Sequence, residues 1–433
     1  MKIETLKKSH LKRNIIIGVG VILIISAVIL NFTRAKYRTT QSIPLVNGTI
    51  NYTPADFNAV AIYVHGDSGY TKTDTIPDGY VLNESESYCT VNGEEDINIS
   101  LSYDTSTKSL SVTPMTTKGT KCYLYFDEKG ITNIEELIAN YSTVKTRTFP
   151  LTASSKVEGN TTGVIYKSAD SNQYDNDGEV YYFAGNPTDN WVKWAGFYWR
   201  IIRINGNGSI RMIYQGTSPN TTGTDTQLQT SKFNSSYNRS EYVGLKYTTG
   251  SQHGTGSNST IMGVLNTWYS ENIEKTDYVN DIDTNVGFCS DRNMGSGYSW
   301  SSQPSSTIYY AAYGRLVQSS SNVNPSFKCS NTSDILKIPV GLITADEVVM
   351  AGLPWNGSTT SNYLYTGQHY WTMSPSRFRS GSAIVFCVFS YGQLNYDNAG
   401  WTEPGVRPVV NLKSSVQITG GNGTADLPFE IAS

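Results

Sequence analysis

The sequence predicts an α+β protein made of an N-terminal transmembrane helix, a small all-β, sandwich-like domain, and a larger α+β domain. Three observations carry this prediction. A charge-free apolar run lies near the N-terminus, short apolar segments alternate with turn formers through the next hundred residues, and strand-like runs mix with helically spaced apolar positions beyond them.

The apolar run extends from Ile15 to Phe32, and Ser26 and Asn31 are its only strongly polar interruptions. As a helix it would reach roughly 27 Å, close to the hydrocarbon thickness of a bilayer. Lys2, Lys7, Lys8, Lys12 and Arg13 precede it and only Arg34, Lys36 and Arg38 follow. That bias places residues 1–14 in the cytoplasm as a tail, with the lipid bilayer as partner of residues 15–32 and the C-terminal ectodomain extracellular. The expected location is therefore the cell membrane, single-pass. A cleaved signal is the rival reading because the n-region is basic, but the run is long for one and no small-x-small site follows closely. Both readings export the rest of the chain.

Charged residues make up 16% of the chain and the net charge is -3, so there is no basic field to hold nucleic-acid phosphates. Tyr, Asn, Ser, Thr and Gly dominate instead, a mixture that builds strands, turns and uncharged hydrogen-bonding surface. All five cysteines follow the apolar span, where an oxidising compartment permits disulfides. Their placement suggests Cys89 with Cys122 and Cys289 with Cys329, leaving Cys387 as a buried free thiol inside an apolar run.

Residues 41–126 read as the small β domain, with strands around Val60–Val64, Ile97–Tyr103, Leu110–Thr113 and Lys121–Phe126. A Cys89–Cys122 bridge would staple its modest core. Residues 127–178 read as a helical connector and linker, in which Ile134, Leu137 and Ile138 recur at helical spacing. The third domain, 179–433, opens on dense aromatics. Trp199–Ile204 and Ile210–Tyr214 flank Asn205-Gly206-Asn207-Gly208, a hairpin signal. Ile261, Val264, Leu265, Trp268 and Tyr269 share one helical face. Ile308, Ala311, Ala312, Arg315 and Leu316 suggest a weaker helix. Thr344 with Glu347 forms a capping box ahead of a third, which Gly352 can end. Strands Ser382–Ser390 and Gly405–Leu412 close the chain.

The ordered segments YYFAGNPTDNWVKWAGFYWRIIRIN, IMGVLNTWY, FCSDRN, GLITADEVVMAG, YWTMSPS and GVRPVVNLKSSVQITGGNGTADLPFEI resemble a family of Gram-positive bacterial surface proteins of unassigned function. Members typically carry an N-terminal anchor and the closing GVRPV-NLK signature. The resemblance covers roughly residues 179–431, and CTVNGEE with TTKGTKCYLYF is similar to the β domain of such proteins. It implies a C-type-lectin-like fold for 179–433, shared with formylglycine-generating enzymes and with the variable ligand-binding proteins of diversity-generating retroelements. The enzymes of that group hold copper on a closely spaced cysteine pair near the C-terminus. This chain has only Cys387 there, so formylglycine-generating activity is not expected.

Signals for chemistry are sparse. His65, His253 and His369 are scattered, with no metal spacing and no nucleophile elbow beside them. Asp281 and Asp283 could hold a divalent metal against a nucleotide diphosphate, as in a membrane-anchored enzyme acting on surface glycans, although acidic loops make such pairs by chance. Asp170, Asn172, Asp175, Asn176 and Asp177 offer oxygen donors but miss the EF-hand spacing, so an ordinary turn is favoured over calcium. Arg407 in GVRP reads as a buried structural arginine paired to a carboxylate. Asn-x-Ser/Thr triplets at Asn98, Asn140, Asn160, Asn234 and Asn331 follow from the composition and are not read as glycosylation.

The ligand-binding candidates are Tyr391, Asn395, Tyr396 and Trp401, rings and amides of the kind a sugar or protein surface meets. Packing is the competing account of Tyr391 and Trp401. Arg377 and Arg379 in SPSRFRSG read as exposed and able to contact an anionic partner, although unpaired surface charge is the commoner outcome for such residues. The expected function is a surface protein that binds a carbohydrate or protein ligand without catalysis, with no cofactor; a glycan-processing enzyme and an architectural envelope component are the alternatives.

Overall fold

The computed structural model describes residues 41–431 apart from 46–47, 53–58, 67–68, 78–79, 106, 114–119, 129–135, 139–140, 142, 152–161, 319–322 and 356. The expected α+β class is corrected: strands take 37% and helices 13% of the described residues, so the chain is mainly β. The helical spacings mark real but short helices, Thr260–Asn272, Ala311–Leu316 and Ala345–Met350. The aromatic and β-branched runs between them are strands. No helix among the described residues is long and apolar enough to cross a membrane, and the expected span 15–32 lies outside those residues.

The chain divides into two compact units, residues 1–129 and 130–433. In the first, Thr120–Glu128 is the organising strand. It pairs parallel to Ala59–Gly66 and antiparallel to Tyr88–Val91 and Tyr80–Leu82. Period-two alternation sends Cys122, Leu124 and Phe126 into the core, while Tyr123 and Tyr125 stack on Tyr88 and Tyr63 at 4.9 and 4.8 Å. Leu110 and Val112 enter the same core from a second sheet, Gln41–Leu45, Gly48–Tyr52, Ser109–Thr113 and Ser100–Asp104. Cys89 and Cys122 sit directly opposite one another on paired strands and are bridged.

The second unit is built around the hairpin Phe197–Ile204 and Ile210–Gly216. Asn205 and Ser209 close its turn by a backbone bond of 2.9 Å. Gly208 takes φ +83°, which glycine adopts without steric cost. Nearly every residue of the hairpin is buried, which explains its continuous apolar reading. It lies in a nine-stranded sheet that also takes in Val144–Thr146 and Val164–Lys167. The stretch expected as connector and linker thus supplies strands to this sheet, and Arg147 donates to the Met350 carbonyl across 2.9 Å. Of the helix expected at Ile134–Tyr141, residues 136–138 are described and helical.

Helix Thr260–Asn272 starts where the Ser259 side chain accepts from the Met262 amide, and it buries Ile261, Leu265 and Trp268. Helix Ala345–Met350 begins on the Thr344–Glu347 capping box. A four-stranded sheet, Ile308–Tyr309, Tyr370–Arg379, Ser382–Phe389 and Gln393–Asn398, completes the unit. Cys289 and Cys329 are bridged, and Cys387 is a fully buried free thiol that burial pushes well above its ordinary pKa.

Candidate functional site

The four-stranded sheet separates the predicted binding residues onto two faces. Successive strand residues point to opposite sides, and the register pairs Trp371 with Cys387 and Cys387 with Asn395, whereas Phe386 pairs with Tyr396. Asn395 and Tyr396 therefore face opposite ways.

On the Asn395 side, Trp401 is packed. Its ring meets His369 at 4.9 Å, Phe389 at 5.7 Å and Trp371 at 6.3 Å. Burial lowers the His369 pKa. Tyr391 stays exposed at 45%, leaning edge-on against Phe389 and taking a 3.2 Å bond from Asn395. Trp401 thus packs against three rings while staying half-buried, and Tyr391 and Asn395 remain at the surface.

The Tyr396 side holds a cation among rings. Arg377 was expected to be exposed, but it is buried at 6% because Tyr309, directly across the strand pair, and Tyr313, from helix Ala311–Leu316, close over it. Its guanidinium carbon lies 3.7 Å from the Tyr396 ring centre, 5.2 Å from that of Tyr313 and 5.9 Å from that of Tyr309. Trp355 stacks on Tyr396 at 4.6 Å with the planes within 5°. Gln393 holds the Trp355 loop in place by donating to its carbonyl. Tyr309 and Tyr313 touch at 4.3 Å, and Tyr298 adds an edge at 5.1 Å. Tyr396, Tyr313, Tyr309 and Trp355 are half-buried, so the rings line the surface as well as the cation.

Arg377 forms no ion pair with a carboxylate among the described residues, and its Nε has no hydrogen-bond partner. Ring quadrupoles offset part of its desolvation, and the Tyr313 side chain adds a hydrogen bond. Burial raises the Tyr313 pKa, and the adjacent Arg377 charge opposes that rise. Arg379, two residues along the same strand and exposed, adds a second positive charge on this side. Such a site presents flat π surface beside a guanidinium whose Nε is unpartnered, a combination suited to a carboxylate or sulfate carried on a ring-bearing ligand.

Elsewhere, candidate chemistry is absorbed into structure. Asp281 accepts from the Trp194 indole at 2.8 Å, while Asp283 accepts from Asn207 and from the Asn285 amide, so each carboxylate has its own structural bond. Asp175 accepts four bonds, from the Asp177, Gly178 and Gly206 amides and from Arg203. Asn176 brackets the Cys329 backbone. The Asp170–Gly178 loop is thereby tied to the hairpin turn, with its central carboxylate saturated. Among the described residues no three His, Cys, Asp or Glu side chains converge as a metal-binding group. His253 bonds to Asp334 at 3.0 Å, and Asp334 is also held by Arg292; His65 meets Tyr70 edge-on. Arg407 is buried as expected, but its partners are the Tyr214 and Leu364 carbonyls and Gln215, with the Tyr370 ring beneath, rather than a carboxylate.

Sequence reading missed Trp355, Tyr309 and Tyr313. The only local signal was their aromatic character within Ser- and Gly-rich sequence. No family model, curated protein or solved structure matches this chain.

Proposed function

We propose that this chain is an exported cell-surface protein, held to the membrane through residues 15–32, that binds a carbohydrate or protein ligand without transforming it. The observation that carries the binding reading is Arg377, a buried guanidinium with an unpartnered Nε, enclosed by Tyr309, Tyr313 and Tyr396 and with Trp355 extending the stack. A buried guanidinium donor left without a partner is costly, and a ligand anion that accepts from it removes that cost. The export reading is supported by the two disulfides, which persist in oxidising compartments.

The ligand on this reading bears a carboxylate or sulfate next to a face that stacks on tyrosine, as acidic saccharides and acidic aromatic peptides do. Full-length protein screened against arrays of acidic glycans and peptides is expected to retain an anionic ligand. Arg377→Met is expected to weaken retention at least tenfold while the thermal midpoint stays within a few degrees. Retention untouched by that substitution, or turnover of the retained ligand, would overturn the reading.

A further inference from the structure

A second recess in the same unit lies apart from the Arg377 rings. It is an open cleft of about 710 Å³ between helix Thr260–Asn272 and the segment Gln227–Gln229. Its floor is aromatic: Phe197, Tyr214 and Trp268 meet pairwise at 5.6 to 6.1 Å. Its rim is polar and carries no lysine or arginine: Gln227, Gln229, Thr260, Thr267, Glu271 and Asn272.

We propose that this cleft binds a neutral saccharide. Its volume falls within the range of small-ligand sites, and a cluster of tilted and edge-on rings bordered by amides, hydroxyls and one carboxylate matches a ligand with apolar C–H faces and many hydroxyl donors. The absence of rim cations argues against an anion here, in contrast to the Arg377 site.

Gln227 supplies the independent sign that a partner is missing. The residue is 8% exposed, and its Oε1 is buried with no hydrogen-bond partner. Its carboxamide lies flat against Gly405 of GVRP, so closely that a Cβ there would fall 1.8 Å from Oε1. Backbone bonds from Leu228 to Val406 and from Val406 to Gln229 hold this segment against GVRP. An orphaned buried acceptor forgoes the hydrogen bond that water would give it in the unfolded chain. A turn of the carboxamide toward a ligand hydroxyl recovers that bond.

Thr267 and Glu271 are exposed on one helix face, so they can be changed without disturbing the core. The full-length protein is screened against neutral oligosaccharides, with chitotetraose and maltotetraose as soluble titrants and tetragalacturonate as the acidic control. Expected are binding of a neutral oligosaccharide, a loss of at least tenfold in Thr267→Arg, which fills the cleft mouth, a similar loss in Gln227→Ala, and no change in Arg377→Met. Thermal midpoints of the variants separate lost binding from lost folding. No neutral binding by the wild type, or binding that survives Thr267→Arg, overturns the proposal. Because Arg377→Met is scored separately, failure of this cleft and failure of the anion site are distinguishable.

Discussion

Two regions of the second unit bury arginine in opposite ways. Beneath helix Ala345–Met350, Arg203 and Arg211 share Glu347 at 3.0 and 2.6 Å, and Arg203 also reaches Asp175 at 3.1 Å. Nearby, Arg315 pairs with both Asp346 and Asp291. Every one of these cations meets a carboxylate. On the second strand of the four-stranded sheet, Arg377 is buried to a similar degree and meets tyrosine side chains rather than a carboxylate. The first arrangement is complete without a ligand and joins strands, helix and loop. The second leaves the Arg377 Nε without a partner, and the proposal of ligand binding rests on that atom.

The sharpest way to break this comparison is to remove the shared carboxylate. Glu347→Gln leaves two buried guanidinium groups short of a counter-charge, and a loss of about 3–5 kcal/mol is expected in denaturant unfolding. A loss below about 1 kcal/mol would show that the region is not the ionic support described.

The bridge beside that region comes next. Cys289 and Cys329 enclose a 40-residue separation, and Phe327 next to Cys329 lies 5.0 Å below the Arg203 guanidinium. Replacing both cysteines with serine should cost about 2–4 kcal/mol, read as a lower denaturation midpoint.

Acid offers a third probe. Burial would raise the Glu347 pKa, but Arg211 and Arg203 outweigh it and hold the group below its ordinary value of 4.5. A depressed folded pKa contributes stability that is fully present above the unfolded value and lost as pH falls through the folded one. The stability difference between wild type and Glu347→Gln should therefore be constant above about pH 5 and narrow below it. A constant difference down to pH 3 would contradict the pairing.

The ring site should respond in the reverse sense, with binding hit hard and stability little. Arg377→Met should cost less than about 2 kcal/mol, the range of its ring contacts, against the tenfold loss of anionic ligand stated above. Arg379→Ser, at an exposed position on the same strand, should change stability by under about 0.5 kcal/mol and weaken binding only modestly, most visibly at low salt.

How much was legible in the sequence follows from how local each signal is. The capping box at Thr344 and Glu347, the Asn205–Gly208 turn and the Ile261–Tyr269 stripe are local patterns, and each appears where the residues place it. The pairing of Cys89 with Cys122 was legible because each lies in a strand-like segment with the other nearby. Fold class was misjudged because helices of six residues leave helical spacing without bulk, while strands buried on both faces hide their alternation. The site was half legible. Tyr396 and Arg377 were singled out, yet Arg377 looked exposed because SPSRFRSG is polar; the rings that bury it come from strand Ile308–Tyr309 and helix Ala311–Leu316, remote in sequence. Trp401 was ambiguous for the same reason, since its partner His369 is also distant.

The stack of Trp355 on Tyr396 has an optical consequence. Trp194, Trp199 and Trp371 are enclosed in the core and should emit at short wavelength, insensitive to what happens at the surface. Trp355 is half-buried, lies parallel to a tyrosine and stands one ring away from the Arg377 cation. Ligand arrival at that cation would change the surroundings of this indole while leaving those three dark to the event. If the proposed ligand binds there, Trp355 is a built-in fluorescent reporter of its arrival, and Trp355→Phe would silence it while keeping the stack.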